Sequence, residues 1–256
     1  MKSHIAAIAL LLLFVALPGS PVLASDYDPV RAKLENAMAS QVRTPAEMER
    51  DQNRKPVETL EFFALRDNMK VVELFPGGGW YTKLLAPVLA ENGELYIAFG
   101  TSRAQSAVAG QPGFEKIQVT GSDAEISRAE GARFYTASNT DLGVKNVDMV
   151  LTFRNYHNFD DASRDALNQS VFKALKPGGI YALVDHTRRH MQADNAENRR
   201  RLDPVQAIKE ILAAGFEFVD YSDLHYRADD ELVYEVGRRT VSGNTDRWTL
   251  MFRKPS

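Results

Sequence analysis

The run Val71-Val72-Glu73-Leu74-Phe75-Pro76-Gly77-Gly78-Gly79 constrains this chain more than any other segment. Residues 71–75 are nearly all apolar, as in strands buried on both faces of a parallel sheet. Three consecutive glycines then let the backbone approach a ligand where a Cβ would collide. A helical pattern over residues 80–90 follows, so free N–H groups at a helix start lie next to the glycines. Pro87 is expected to kink or shorten that helix. A strand, a glycine turn and a helix in this order define an α/β unit.

The remaining sequence repeats the alternation. Helices are expected over residues 28–40, 56–65, 160–175 and 204–214, and strands over 95–99, 133–137, 147–153, 180–184, 216–221 and 247–252. Lys176-Pro177-Gly178-Gly179 fits a type II turn that opens the strand at 180. Residues 101–126 lack clear periodicity and read as a loop with a broken helix. Residues 186–201 are polar and lie where a lid would be. The fold class that follows is α/β, a Rossmann-like doubly wound and mostly parallel sheet. No linker divides residues 56–256, which read as one domain preceded by a helical extension over 25–55.

The first residues read as an export signal. Lys2 supplies a positive start, residues 5–17 are apolar, and Val22-Leu23-Ala24 forms a small-x-small site before Ser25. A cut after Ala24 is expected, with a periplasmic or secreted product and no stable membrane anchor after cleavage. The 256 residues contain no cysteine, which excludes disulfides, thiolate metal sites and thiol nucleophiles. A formal net charge of −3 gives no reason to expect nucleic acid as a partner.

In an open α/β sheet, ligands bind beyond the carboxyl ends of the strands. Three segments emerge there. In the first, Glu73 can bond an ammonium or hydroxyl group, and Trp80 and Tyr81 can face a cation or simply pack the helix against the sheet. In the second, Arg154, Asn155, Tyr156 and His157 follow a buried strand. The first three can orient a substrate, and His157 can serve as a general base, given histidine's reference pKa near 6.5, or bond a backbone carbonyl. The third holds Asp185, His186 and His190, which with His157 could form a divalent metal site. Arg188, Arg189 and residues 199–201 make a basic patch that either holds an anionic substrate or forms a solvated face.

Residues 71–82 resemble the first motif of class I S-adenosylmethionine-dependent methyltransferases. Leu175-Lys176-Pro177-Gly178-Gly179 resembles the turn before their fifth strand, and residues 245–252 their antiparallel seventh strand. More narrowly, Pro76-Gly77-Gly78-Gly79-Trp80-Tyr81, Thr152-Phe153-Arg154-Asn155-Tyr156-His157-Asn158 and Val184-Asp185-His186 are similar to a group of exported bacterial proteins predicted to be methyltransferases. The resemblance implies S-adenosyl-L-methionine as cofactor and a small, possibly anionic, methyl acceptor in the cell envelope. It also implies that Glu73, Gly77, Gly78 and Gly79 cradle the cofactor, that Asp141 contacts adenine, and that the loop at 154–158 faces the acceptor. Two positions depart from the pattern. Phe75 stands where the first glycine is usual, and Ala98-Phe99-Gly100 lacks the acid that grips the ribose diol. The alternatives are a noncatalytic small-molecule-binding protein that retains the fold, and a metal-dependent enzyme.

Overall fold

The computed structural model describes residues 27–256. The expected export signal lies outside them. Seven strands form one sheet: β1 (Lys70–Leu74), β2 (Glu94–Ala98), β3 (Gln118–Thr120), β6 (Val147–Phe153), β7 (Leu175–His186), β8 (Glu217–Ser222) and β9 (Arg247–Arg253). Their spatial order is β3-β2-β1-β6-β7-β9-β8. β9 runs antiparallel to both of its neighbours, and the pairings from β3 through β7 are parallel. The order reverses between β1 and β6, the topological switch point at which ligands bind in such sheets. A separate pair, β4 (Glu125–Ser127) with β5 (Thr136–Ser138), is antiparallel.

The apolar runs resolve into a period of two once both faces are counted. Val71, Met149, Leu151, Ala182 and Val184 pack toward α1 (Asp28–Met38), α4 (Pro56–Phe62) and α5 (Thr82–Leu89). Val72, Leu74, Val150, Tyr181 and Leu183 pack toward α7 (Asp161–Ala174) and α8 (Pro204–Ala213). Each strand therefore contributes to two cores, which explains why the sequence shows no amphipathic alternation there. α1 shares the first core through Tyr27, Val30 and Leu34, and two short helices, α2 (Pro45–Met48) and α3 (Asp51–Arg54), follow it.

One expected strand is corrected. The third strand of the sheet is β3, within the stretch that read as a loop, and residues 133–137 lead into β5 instead. β3 is a three-residue edge strand with Gln118 and Val119 exposed, so it carries no buried apolar run to signal it. The same stretch contains α6 (Ser102–Val108). The glycine-side helix starts at Thr82, two residues later than expected, and Pro87 lies inside it. Gly178 has φ 75, as the third residue of a type II turn requires, but residues 175–179 lie within β7, where its pairing with β6 shifts register, so the strand begins five residues before the expected 180.

Candidate functional site

The backbone turns left-handed immediately after three neighbouring strands, at residues that are not glycine. Phe75 follows β1 with φ 53, Phe99 follows β2 with φ 64, and Arg154 follows β6 with φ 59. Such torsions cost non-glycine residues about 1–2 kcal/mol each and concentrate at functional sites. The N–H groups of Phe75 and Arg154 still bond the neighbouring strands, at Ala98 O (2.8 Å) and Val184 O (2.7 Å). Phenylalanine thus takes a glycine-type torsion at the position where the resemblance has glycine.

Three adjoining cavities run along this edge. An aromatic cavity of about 680 Å³ lies past β1, β2 and β3, walled by Phe75, Phe99, Tyr135 and Phe159. Phe75 packs on Phe99 (ring centres 5.3 Å apart) and on Phe159 (4.9 Å), and Tyr135 on Phe159 (6.1 Å). Among the described residues no carboxylate lines it, and Phe99 fills the position after β2. A glycine-side cavity of about 420 Å³ shares Phe75, Gly77, Arg103 and Asn155 with the first and is bounded by Glu73, Gly78 and Trp80. A third cavity, about 440 Å³, shares Arg50, Arg54 and Arg154 with the second and reaches His186 and Arg247.

The glycines open this edge in different ways. Gly79 has φ 81, and a Cβ there would lie 3.4 Å from Ala104 Cα, so it allows α6 to pack close. A Cβ at Gly78 would meet nothing within 4 Å, so this glycine leaves free space beside the second cavity. Glu73 is buried and accepts a hydrogen bond from Thr82 Oγ1 at 2.5 Å. Burial pushes its carboxyl up to about 7, against the opposing effects of Thr82 and Arg54. Trp80 donates from Nε1 to Glu47 O (2.9 Å), and the Arg54 guanidinium lies 4.2 Å from its ring centre. Asn155 donates to Phe75 O (3.2 Å) and Phe153 O (3.0 Å), tying the loop after β6 to the turn after β1.

Several expected site residues are placed elsewhere. Tyr156 sits on a single 3-10 turn, Tyr156–Asn158, that rotates it away from the cavities. Its hydroxyl donates to Glu210 (3.0 Å) and accepts from Asn168 (2.8 Å), between α7 and α8. Asp141 is exposed and accepts from Gly143 N at 2.7 Å, capping a surface turn. His157 is buried, with Nδ1 donating to Asp185 Oδ1 at 2.5 Å and its backbone N–H donating to Oδ2 at 2.9 Å. It lines none of the three cavities, whereas His186, with its ring 5.7 Å from that of His157, lines the third. Burial first, then the neighbouring His157, and after it the charges of Arg247, Arg154 and Arg201, hold His186 well below the usual histidine range.

The proposed metal ligands do not assemble. His190 is exposed and bonds Asp203 (2.9 Å), and no cluster of three potential ligands exists among the described residues. The basic patch is largely neutralised, since Arg188 bonds Asp194 (2.8 Å), Arg200 pairs with Glu235, and Arg201 pairs with Asp230 (2.8 Å). The cations that line the third cavity without a carboxylate partner among the described residues are instead Arg50, Arg54, Arg154 and Arg247, whereas Arg200 lines it paired with Glu235. Only Arg154 of these stands out in the sequence, because three separate segments contribute them.

The fold is that of the class I methyltransferases. Among solved structures, the chain is similar to an S-adenosylmethionine-dependent methyltransferase from Aquifex aeolicus, with TM-score 0.56 and 13% identity over 87% of this chain and 97% of that one. It is equally similar to the cyclase SpnF, with TM-score 0.56 and 15% identity over 90% and 94%. The glycopeptide N-methyltransferase MtfA, solved with S-adenosylmethionine, gives TM-score 0.51 and 18% identity over 78% and 87%. No protein-family model and no curated protein matches the chain.

Proposed function

We propose that the protein is an S-adenosylmethionine-dependent methyltransferase, exported to the cell envelope, that acts on a small anionic acceptor. The observation that carries this reading is the open space beside Gly78, at the topological switch point, with the buried carboxyl of Glu73 on its wall. The residues present fit the cofactor. The rings of Phe75, Phe99, Tyr135 and Phe159 suit adenine, Thr101, Thr120 and Asn158 offer bonds to a ribose, and Glu73 suits an ammonium group. When bound, S-adenosylmethionine supplies an electrophilic methyl group.

The chain's own contribution is alignment, for which holding reactants together supplies roughly 7–11 kcal/mol. Asn155 locks the two loops between which the reactants meet. Arg154 faces both the glycine-side and the arginine-lined cavities and orients the acceptor. His186 lines the acceptor side as a neutral imidazole and is the proposed proton acceptor, and His157, held by Asp185, packs behind it.

Calorimetry with S-adenosylmethionine and S-adenosylhomocysteine tests this reading. Gly78→Val adds bulk where the fold has room, so it is expected to weaken binding at least tenfold while leaving thermal stability unchanged. Wild-type protein that binds neither compound at millimolar concentration would refute the proposal. A second reading, a noncatalytic binding protein, is favoured by the absence of a carboxylate in the aromatic cavity. It predicts cofactor or ligand binding without formation of S-adenosylhomocysteine from any acceptor.

A further inference from the structure

Six arginines are buried among the described residues, and they fall into two groups. Arg43 pairs with Asp51, Arg164 with Glu210, Arg188 with Asp194 and Arg201 with Asp230. Arg54 and Arg247, 4% and 7% exposed, have no carboxylate partner. Both line the same cavity as Arg154, which also lacks one. Arg247 donates once, to Asn53 O at 2.7 Å, and its Nε is left without a partner. Arg54 meets only the face of Trp80, at 4.2 Å, and more distantly that of Tyr81.

The acids nearby are all engaged. Glu47 pairs with Lys83 (2.9 Å), Glu73 bonds Thr82, Asp185 bonds His157, and Glu235 pairs with Arg200. Burial of unpaired charge is expensive, and guanidinium does not escape the cost by losing its proton. Burial first, and Arg154, Arg50 and Arg247 next, disfavour the charged form of Arg54. The backbone at Arg54 is held in place nonetheless, since its carbonyl accepts from His225 Nε2 (3.0 Å) and Thr59 Oγ1 (3.0 Å). A buried cluster with its counter-charge missing describes an anion site.

We propose that the cavity lined by Arg54, Arg154 and Arg247 binds a multiply charged oxyanion of the phosphate class, carried by the methyl acceptor. A single carboxylate would leave most of this charge unbalanced. A tetrahedral dianion presents several oxygens to guanidinium forks. Arg50 stands exposed at the rim, where it draws anions inward. As an anion site the cavity stands on its own. Its assignment to the acceptor rests on the methyl-transfer reading.

Titrating the purified protein with inorganic phosphate, at ionic strength fixed with sodium chloride, tests the site without any cofactor. Saturable binding is expected, with acetate at least tenfold weaker. Arg247→Gln is expected to weaken phosphate binding at least tenfold, and Arg247→Lys, which keeps the charge but not the fork, several-fold. Phosphate should also slow phenylglyoxal modification of wild-type Arg154, read by mass spectrometry, which keeps the test open if the variants fail to fold. Equal responses to phosphate and acetate, or no protection of Arg154, would overturn the site. S-adenosylhomocysteine binding, measured separately, reports on the cofactor reading, so the two can fail independently.

Discussion

Glu73 carries the clearest chemical signature of any single residue here. Its carboxyl, pushed up to about 7 by burial, holds its proton more tightly in the native state than in the unfolded chain, where the ordinary value near 4.5 applies. Glu73 therefore favours folding most below pH 4.5, and that contribution is lost as the pH rises through about 7. Glu73→Gln should abolish this slope, making the ligand-free variant more stable than wild type at pH 8 but not at pH 4.5. Urea denaturation at both pH values checks it, and parallel curves would contradict it. His225 acts in the opposite sense. Burial depresses it to about 4, so its contribution is present above pH 6.5 and is lost as the pH falls toward 4. His225→Gln should make the acid limb of the stability curve shallower between those values, as thermal melts across the range would show. An anion beside Arg154 and Arg247 would offset the charges that depress His186 and raise its basicity when the acceptor is present. The placement of Glu73 and the glycines at the end of β1 was legible because it is set locally. Tyr156 was misplaced because one 3-10 turn decides which way neighbouring side chains point, and residue type does not encode that rotation.

At the scale of elements, the site is made by three strand ends that turn left-handed together. Arg154 combines that torsion with an unpaired charge. Arg154→Gly is expected to raise ligand-free unfolding free energy by about 1 kcal/mol while weakening anion binding. Chemical denaturation in chloride buffer measures the first effect, and a variant less stable than wild type would argue against strain at this position. The strand–glycine–helix unit, the turn at Gly178 and the long strands could be read directly, because buried parallel strands require apolar runs and tight turns require particular residues. β3 could not. An exposed three-residue edge strand buries too little to need a hydrophobic signal. The pair β4–β5 was missed for the same reason, although Ile126 and the adjacent Tyr135 help enclose the aromatic cavity.

The whole molecule is mildly acidic, at net −3, yet it concentrates unpaired cations in one cleft. That contrast was invisible in composition, since Arg50, Arg54, Arg154 and Arg247 converge only when the sheet brings β6 and β9 beside the short N-terminal helices. The mostly parallel character of the sheet, by comparison, followed from strand–helix alternation and right-handed crossovers. Fold likeness extends to a cyclase as well as to methyltransferases, so the chemistry must be argued from the cleft. The central claim is that the aromatic and glycine-side cavities together hold an adenosyl compound. A crystal structure of the protein with S-adenosylhomocysteine tests this most directly. Continuous density is expected through both cavities, beside Gly77 and Gly78 and against the Phe75 and Phe159 rings. Cavities left empty at saturating ligand, or density bound elsewhere, would contradict it.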